Sequence, residues 1–149
     1  MPRLKMKIRP YSPGDEKEVI ELWRRCNLVY PQNNPRRDIE RKMEVNPELF
    51  LVGLVDEKVV ASVMGGYEGH RGWVNYLAVD PDYQRKGLGR RIMSAVEDKL
   101  LKLGCPKLNL QVRAGNETAM VFYKKIGFKT EDVVSMGKRL IEDNPEQKR

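Results

Sequence analysis

The sequence predicts a mixed α/β (α+β) domain, with a central, mostly antiparallel sheet flanked by helices. Three observations carry that prediction. Two apolar runs, 49–55 and 59–67, are separated by Asp56-Glu57-Lys58, the pattern of a β-hairpin. Two helical patterns, 87–103 and 116–126, each lie between strand patterns, and such crossovers require at least one parallel strand pair. A chain of 149 residues, 40% hydrophobic and 33% charged, has the size and composition of one globular domain spanning residues 1–149.

The elements follow in order. Residues 5–9 alternate and read as a short strand. Ser12 suits an N-cap, Pro13 the first helical position and Asp15 the first turn. Val19, Ile20, Trp23 and Cys26 recur at helical spacing to about Asn27. A polar loop with Pro31 follows. Asn34-Pro35 opens a second short helix whose Ile39 and Met43 share a face. After the hairpin, a turn over 68–72 leads to a strand at 73–79, ended by Asp80-Pro81-Asp82. The long helix carries the stripe Leu88, Ile92, Val96, Leu100, Leu103, and Gly104 with Pro106 stops it. Residues 107–112 form a strand. The next helix places Ala119, Phe122, Tyr123 and Ile126 on one face and ends at Gly127. A last strand is expected around Val133-Val134, and the polar tail from Glu142 is expected to fray.

Several functional classes fall away. No apolar run approaches the roughly 18 residues that a membrane helix needs, and the basic N-terminus lacks the apolar region of a secretory signal. A cytoplasmic protein without a membrane partner is therefore expected. Two distant cysteines, Cys26 and Cys105, and one histidine, His70, give no metal-ligand spacing, so no metal is expected. The formal net charge of +7 fits either a nucleic-acid partner or a polyanionic small molecule. The basic residues are interleaved with acidic ones and form no stripe with aromatics between, so a nucleic-acid partner is not expected.

The most informative stretch is Gln84-Arg85-Lys86-Gly87-Leu88-Gly89-Arg90, where a strand and turn give way to the long helix. The first amides of a helix have no internal partners and sit at the positive end of its dipole. Gly87 and Gly89 remove side chains beside those amides, and Arg85, Lys86 and Arg90 add full charges. This is the chemistry of a pyrophosphate cradle. It is not a P-loop, since Arg90 stands where Lys-Ser or Lys-Thr would be required, and it lacks the third Gly of a dinucleotide fingerprint.

The run Gln84–Gly89 after Leu77-Ala78-Val79 resembles the acetyl-CoA motif Gln/Arg-x-x-Gly-x-Gly/Ala of the GNAT superfamily of N-acetyltransferases. Residues 116–128 resemble that family's Asn-x-x-Ala-x-x-Phe-Tyr-x-x-x-Gly-Phe helix, and the element order agrees over about residues 5–139. The resemblance implies an enzyme that binds acetyl-CoA as co-substrate in an opening between two splayed parallel strands. Leu77, Ala78 and Val79 would meet the pantetheine arm, Arg85 through Arg90 (with Lys86, Gly87, Leu88 and Gly89) the pyrophosphate, and Asn116 the cofactor arm. A primary amine, small molecule or peptide, would attack the thioester directly through a tetrahedral intermediate. A backbone N–H near Val79 would stabilise the oxyanion. Tyr123 matches the general acid, and a phenol is suited to protonating a departing thiolate.

The general base is not carried over. Gln111 stands where some members that acetylate protein N-termini have Glu, and an amide is no base. Glu68, with His70 beside it, is the replacement the sequence offers as a catalytic residue. The acceptor site is expected around Trp23, Asn27, Tyr30, Asn33, Asn34 and Asp38, with Asp38 or Glu68 attracting a cationic amine. A homodimer is expected through the strand at Val133-Val134. Two alternatives stay open: a CoA-binding regulatory protein without transferase activity, and a basic RNA- or ribosome-binding protein.

Overall fold

The computed structural model describes residues 4–143. The first three residues of the basic N-terminus, and the polar tail beyond 143, lie outside the described residues. Five strands form one sheet in the order β1 (Lys7–Pro10), β2 (Phe50–Val55), β3 (Lys58–Tyr67), β4 (Gly72–Val79), β5 (Leu108–Asn109). The first four pair antiparallel and β4–β5 is parallel, as the crossover argument requires. The helices are α1 (Glu16–Arg25), α2 (Pro35–Lys42), α3 (Leu88–Lys102) and α4 (Glu117–Lys125).

The two faces of the sheet bury different helices. On one face Leu88, Ile92, Met93, Val96 and Leu100 of α3 pack against Leu51, Val60, Val63 and Val74. Each such side chain contributes roughly 1.5–3 kcal/mol by leaving water. On the other face Val19, Ile20, Leu22 and Trp23 of α1 and Ile39 of α2 cover Phe50, Val52, Met64 and Ala78. The strands alternate between these faces, so β2 and β3 are apolar on both sides and read as near-continuous hydrophobic runs. As predicted, α2 is capped at Asn34, whose Oδ1 accepts the Arg37 amide at 3.1 Å.

Three local departures position the site. Ser62 pairs with Ala78 and Met64 with Asn75, so Tyr76 and Leu77 together oppose Val63. That is a β-bulge, and Tyr76 adopts φ +52° within it. The expected strand over 107–112 keeps only two parallel pairs, Gly72 with Leu108 and Trp73 with Asn109. Beyond them β4 bends at the bulge and the two chains part, leaving an opening between them. The expected strand at Val133-Val134 is also absent. Residues 129–143 form no regular element, and Val133 and Val134 are 75% and 85% exposed, because this segment finds no backbone partner in the sheet. Of the tail expected to fray, only its first two residues are described, and Asp143 among them is buried and takes two hydrogen bonds from Arg41, at 2.6 and 3.0 Å.

Candidate active site

The cradle forms where β4 hands over to α3. Asp80 caps the intervening turn by accepting the Asp82 amide at 2.9 Å, and Arg25 pairs with Asp80 at 2.6 Å. Gln84 Nε2 and Cys26 Sγ both donate to the Val79 carbonyl, at 2.9 and 3.2 Å, fixing the end of the strand. Arg85 adopts φ +64°, and Gly87, the N-cap of α3, adopts φ +81°. No side chain caps the helix, so its first amides stay available. A Cβ on Gly87 would meet nothing within 4 Å. Arg85, Lys86 and Arg90 are exposed around it. Free amides, open space and three cations fit a pyrophosphate.

Some predicted site residues do other work. Gly89 does not clear space for a phosphate: a Cβ there would stand 3.1 Å from Phe122 Cζ, so this glycine lets α4 approach the start of α3. The Leu88 side chain is buried with the α3 core, leaving only its backbone to the cradle. Arg90 donates to the Lys125 carbonyl at 3.4 Å and so also ties α3 to the end of α4. Asn116 is the N-cap of α4, with Oδ1 accepting the Ala119 amide at 3.1 Å. Its Nδ2 makes no hydrogen bond among the described residues and is left for a cofactor. Leu77 and Val79 are half-buried along the end of β4, and Ala78 is buried against α1.

Tyr123 lies on α4, edge-on to Phe122 and to Phe128, with centroids 5.1 and 5.6 Å away. Burial pushes its phenol up to about 12, so it is a neutral proton donor at physiological pH. Its hydroxyl has no hydrogen-bond partner among the described residues.

Glu68 is not brought to this place. Its carboxylate accepts the amides of His70 and Arg71, at 2.9 and 3.2 Å, inside the β3–β4 turn. Those amides, the Arg71 one most, hold it below the usual carboxylate range, the wrong direction for a base. The turn joins the start of β4, roughly 20 Å of extended strand from Val79. Polar turn chemistry therefore accounts for Glu68, and His70 is exposed beside it. Gln111 donates through Nε2 to Ser135 Oγ, tying the segment after β5 to the C-terminal segment.

The structure assembles a second group around Tyr76, a residue that the sequence did not single out. Tyr76 stacks on buried Trp23, centroids 3.7 Å apart and planes 12° from parallel. Trp23 Nε1 donates to Ser62 Oγ at 2.9 Å, and Ser62 Oγ donates to the Tyr76 carbonyl at 2.8 Å, which holds the bulge. The Tyr76 hydroxyl donates to Asp38 Oδ2 at 2.6 Å and accepts from Asn33 Nδ2 at 3.2 Å. The Arg113 guanidinium lies 3.8 Å from the centre of the Tyr30 ring. Of the residues expected at the acceptor site, Asn33 and Asp38 converge here, Trp23 backs them, and Asn34 serves as a cap. No sequence signal marks Tyr76, since only the bulge turns its ring toward α2.

A sequence profile of the acetyltransferase (GNAT) family matches residues 16–128. This chain belongs to the GNAT acetyltransferase family. It is 49% identical over 138 residues to a protein of Yersinia pestis (strain Pestoides F) named acetyltransferase, covering 93% of this chain and 98% of that one. The structure is similar to the ribosomal-protein-S18-alanine N-acetyltransferase of Escherichia coli, with TM-score 0.70 and 26% identity over 84% of this chain and 78% of that one. It also shares its fold with AAC(6')-Iy in complex with a CoA-linked bisubstrate analogue. There the TM-score is 0.75 and the identity 16%, over 91% of this chain and 99% of the other. The protein is thus an acetyltransferase of a family that uses acetyl-CoA and acts on amines. No helix among the described residues is long and apolar enough to cross a membrane, and no metal-binding group occurs among them.

Proposed function

We propose that the chain transfers the acetyl group of acetyl-CoA to a primary amine. The observation that carries this reading is the uncapped start of α3, with Gly87 open beside it and three exposed cations, set next to the parting of β4 and β5. The amides of Leu88, Gly89 and Arg90, with Arg85 and Lys86, hold the pyrophosphate. Leu77–Val79 and Asn116 Nδ2 face the pantetheine arm. The amine nitrogen attacks the thioester carbonyl, and a backbone N–H near Val79 stabilises the resulting oxyanion. The C–S bond breaks as Tyr123 gives its proton to the leaving sulfur. A phenol held protonated by burial is suited to that step. Electrostatic attraction to the cradle also accounts for part of the +7 charge without a nucleic acid. The site works in the cytoplasm under this reading.

The proposal extends to a homodimer. Val133, Val134, Met136, Leu140 and Ile141 are all more than half exposed and lie in one unpaired segment. A second copy offers the same surface, so the contact is self-complementary.

Thiol release from acetyl-CoA, measured with a panel of primary amines, tests the transfer. Tyr123→Phe is expected to lower kcat about 100-fold with acetyl-CoA affinity unchanged. Unaltered turnover in that variant removes Tyr123 from the mechanism.

A further inference from the structure

The geometry points to Asp38, presented by Tyr76 and Asn33, as the group that binds the acceptor's ammonium and takes its proton. This deepens the transferase reading and rests on it. Asp38 is half-buried near the start of α2, and only one of its oxygens is used. Oδ2 accepts from Tyr76; Oδ1 has no partner among the described residues. No fully buried side-chain oxygen or nitrogen lacks a partner among them, so Oδ1 faces reachable space.

The neighbouring face of β4 adds exposed surface for a substrate. Val74 is buried against α3, so alternation sends Trp73 and Asn75 to the face of β4 that carries α1 and α2. Both are exposed there, and Trp73 is 37% exposed, a large apolar ring left uncovered. Tyr76 follows in the bulge, at the point where β4 leaves β5, one residue before Leu77. Along β4, exposed Trp73 and Asn75 thus precede Tyr76, which holds the Asp38 carboxylate, and Leu77 of the proposed cofactor-facing stretch follows it. Asp38 is suited to one ammonium group, since the neighbouring Asp143 is already paired with Arg41. The Tyr76 phenol cannot serve instead, because its proton is committed to Asp38 and its oxygen accepts from Asn33.

The titratable groups facing Asp38 are the neutral Tyr76 phenol from β4 and the charged groups of Arg41 from α2 and of Asp143 and Arg139 from the C-terminal segment. Desolvation dominates and holds the Asp38 carboxyl above the usual range, toward the pH at which it must act. The proton balance closes. The ammonium gives one proton to Oδ1, and the neutral nitrogen forms the C–N bond as the C–S bond breaks. Tyr123 protonates the thiolate and regains a proton from the new amide nitrogen through water. Asp38 returns its proton to solvent.

Calorimetry on the CoA-saturated protein tests this with two pairs of probes. Benzylammonium is compared with benzyl alcohol, and trialanine amide with its N-acetylated form. These separate a small amine from a peptide N-terminus as the source of the ammonium. At least one charged probe is expected to bind tenfold or more tighter than its uncharged counterpart. Asp38→Asn should erase that preference while acetyl-CoA affinity stays as in the parent. Tyr76→Phe removes the hydrogen bond that favours the carboxylate, so it should keep the preference but move its loss on acidification to higher pH. No preference in either pair, or a preference that survives Asp38→Asn with an unmoved pH midpoint in Tyr76→Phe, overturns the assignment. Failure of acetyl-CoA itself to bind would instead overturn the transferase reading.

Discussion

Asp15 shows how a single buried carboxylate ties the start of the chain together. It accepts from Arg9 at 2.8 and 3.0 Å and from the Ser12 amide at 2.9 Å. The Arg9 hydrogen bond, the largest influence, holds its carboxyl below the usual range against the opposing cost of burial. A folded value lowered in this way gives stability that is complete above the unfolded value of about 4 and is lost as pH falls through the folded one. Asp15→Asn should therefore lower Tm by about 5 °C at pH 7, and the gap should close as pH falls through the folded value. Thermal melts across that range check the sign: a gap that widens in acid contradicts it. At this scale the sequence was partly legible. Asn34 caps α2, Arg85 precedes the start of α3 and Tyr123 lies on α4, the elements their spacing and capping patterns predict. The sequence could not separate Glu68 from a turn residue, because a carboxylate in a turn looks the same whether it serves substrate or, as in the structure, backbone amides of its own turn. Tyr76 was invisible because its position depends on Ser62 and Trp23, far away in sequence.

The elements were legible wherever local pattern decides them. The α3 stripe, the Asn34 cap and the β2–β3 hairpin follow from spacing and turn residues. The parts settled by tertiary contact were not: β5 shortened to two residues once β4 bent away, and the last strand did not form. Gly89 belongs to this scale, since it serves the contact of two helices. An Ala there gains helix propensity, about 1 kcal/mol, but its Cβ would press on Phe122. Phe122 precedes Tyr123, and α4 must shift by a few tenths of an ångström to make room. Gly89→Ala should keep Tm within a few degrees while kcat falls about tenfold, since small misplacements of a reacting group are costly. Calorimetric melts and steady-state turnover on the same preparation separate the two effects. Unchanged turnover would show that α4 tolerates the shift.

The whole molecule is a sheet whose two faces are covered by different helices, with one edge opened by a bulge. The residues proposed for chemistry come from three places in the fold: the start of α3, Tyr123 on α4, and Tyr76 of β4 with Asp38 of α2. The C-terminal segment is tied to the stretch after β5 through Gln111 with Ser135 and to α2 through Arg41 with Asp143. Its bare apolar side chains carry the homodimer proposal. Sedimentation at micromolar concentration is expected to show a dimer, and Val134→Lys with Met136→Lys should return it to monomer. A parent chain that sediments as a monomer removes that proposal and leaves the active site untouched. The central claim is the cradle. Its most direct test is a calorimetric titration with acetyl-CoA of the parent chain and of a variant carrying Arg85→Ala and Lys86→Ala. The account predicts one-to-one binding by the parent, weakened at least tenfold in a variant with the same Tm. Absence of binding by the parent, or equal affinity in both, would contradict it.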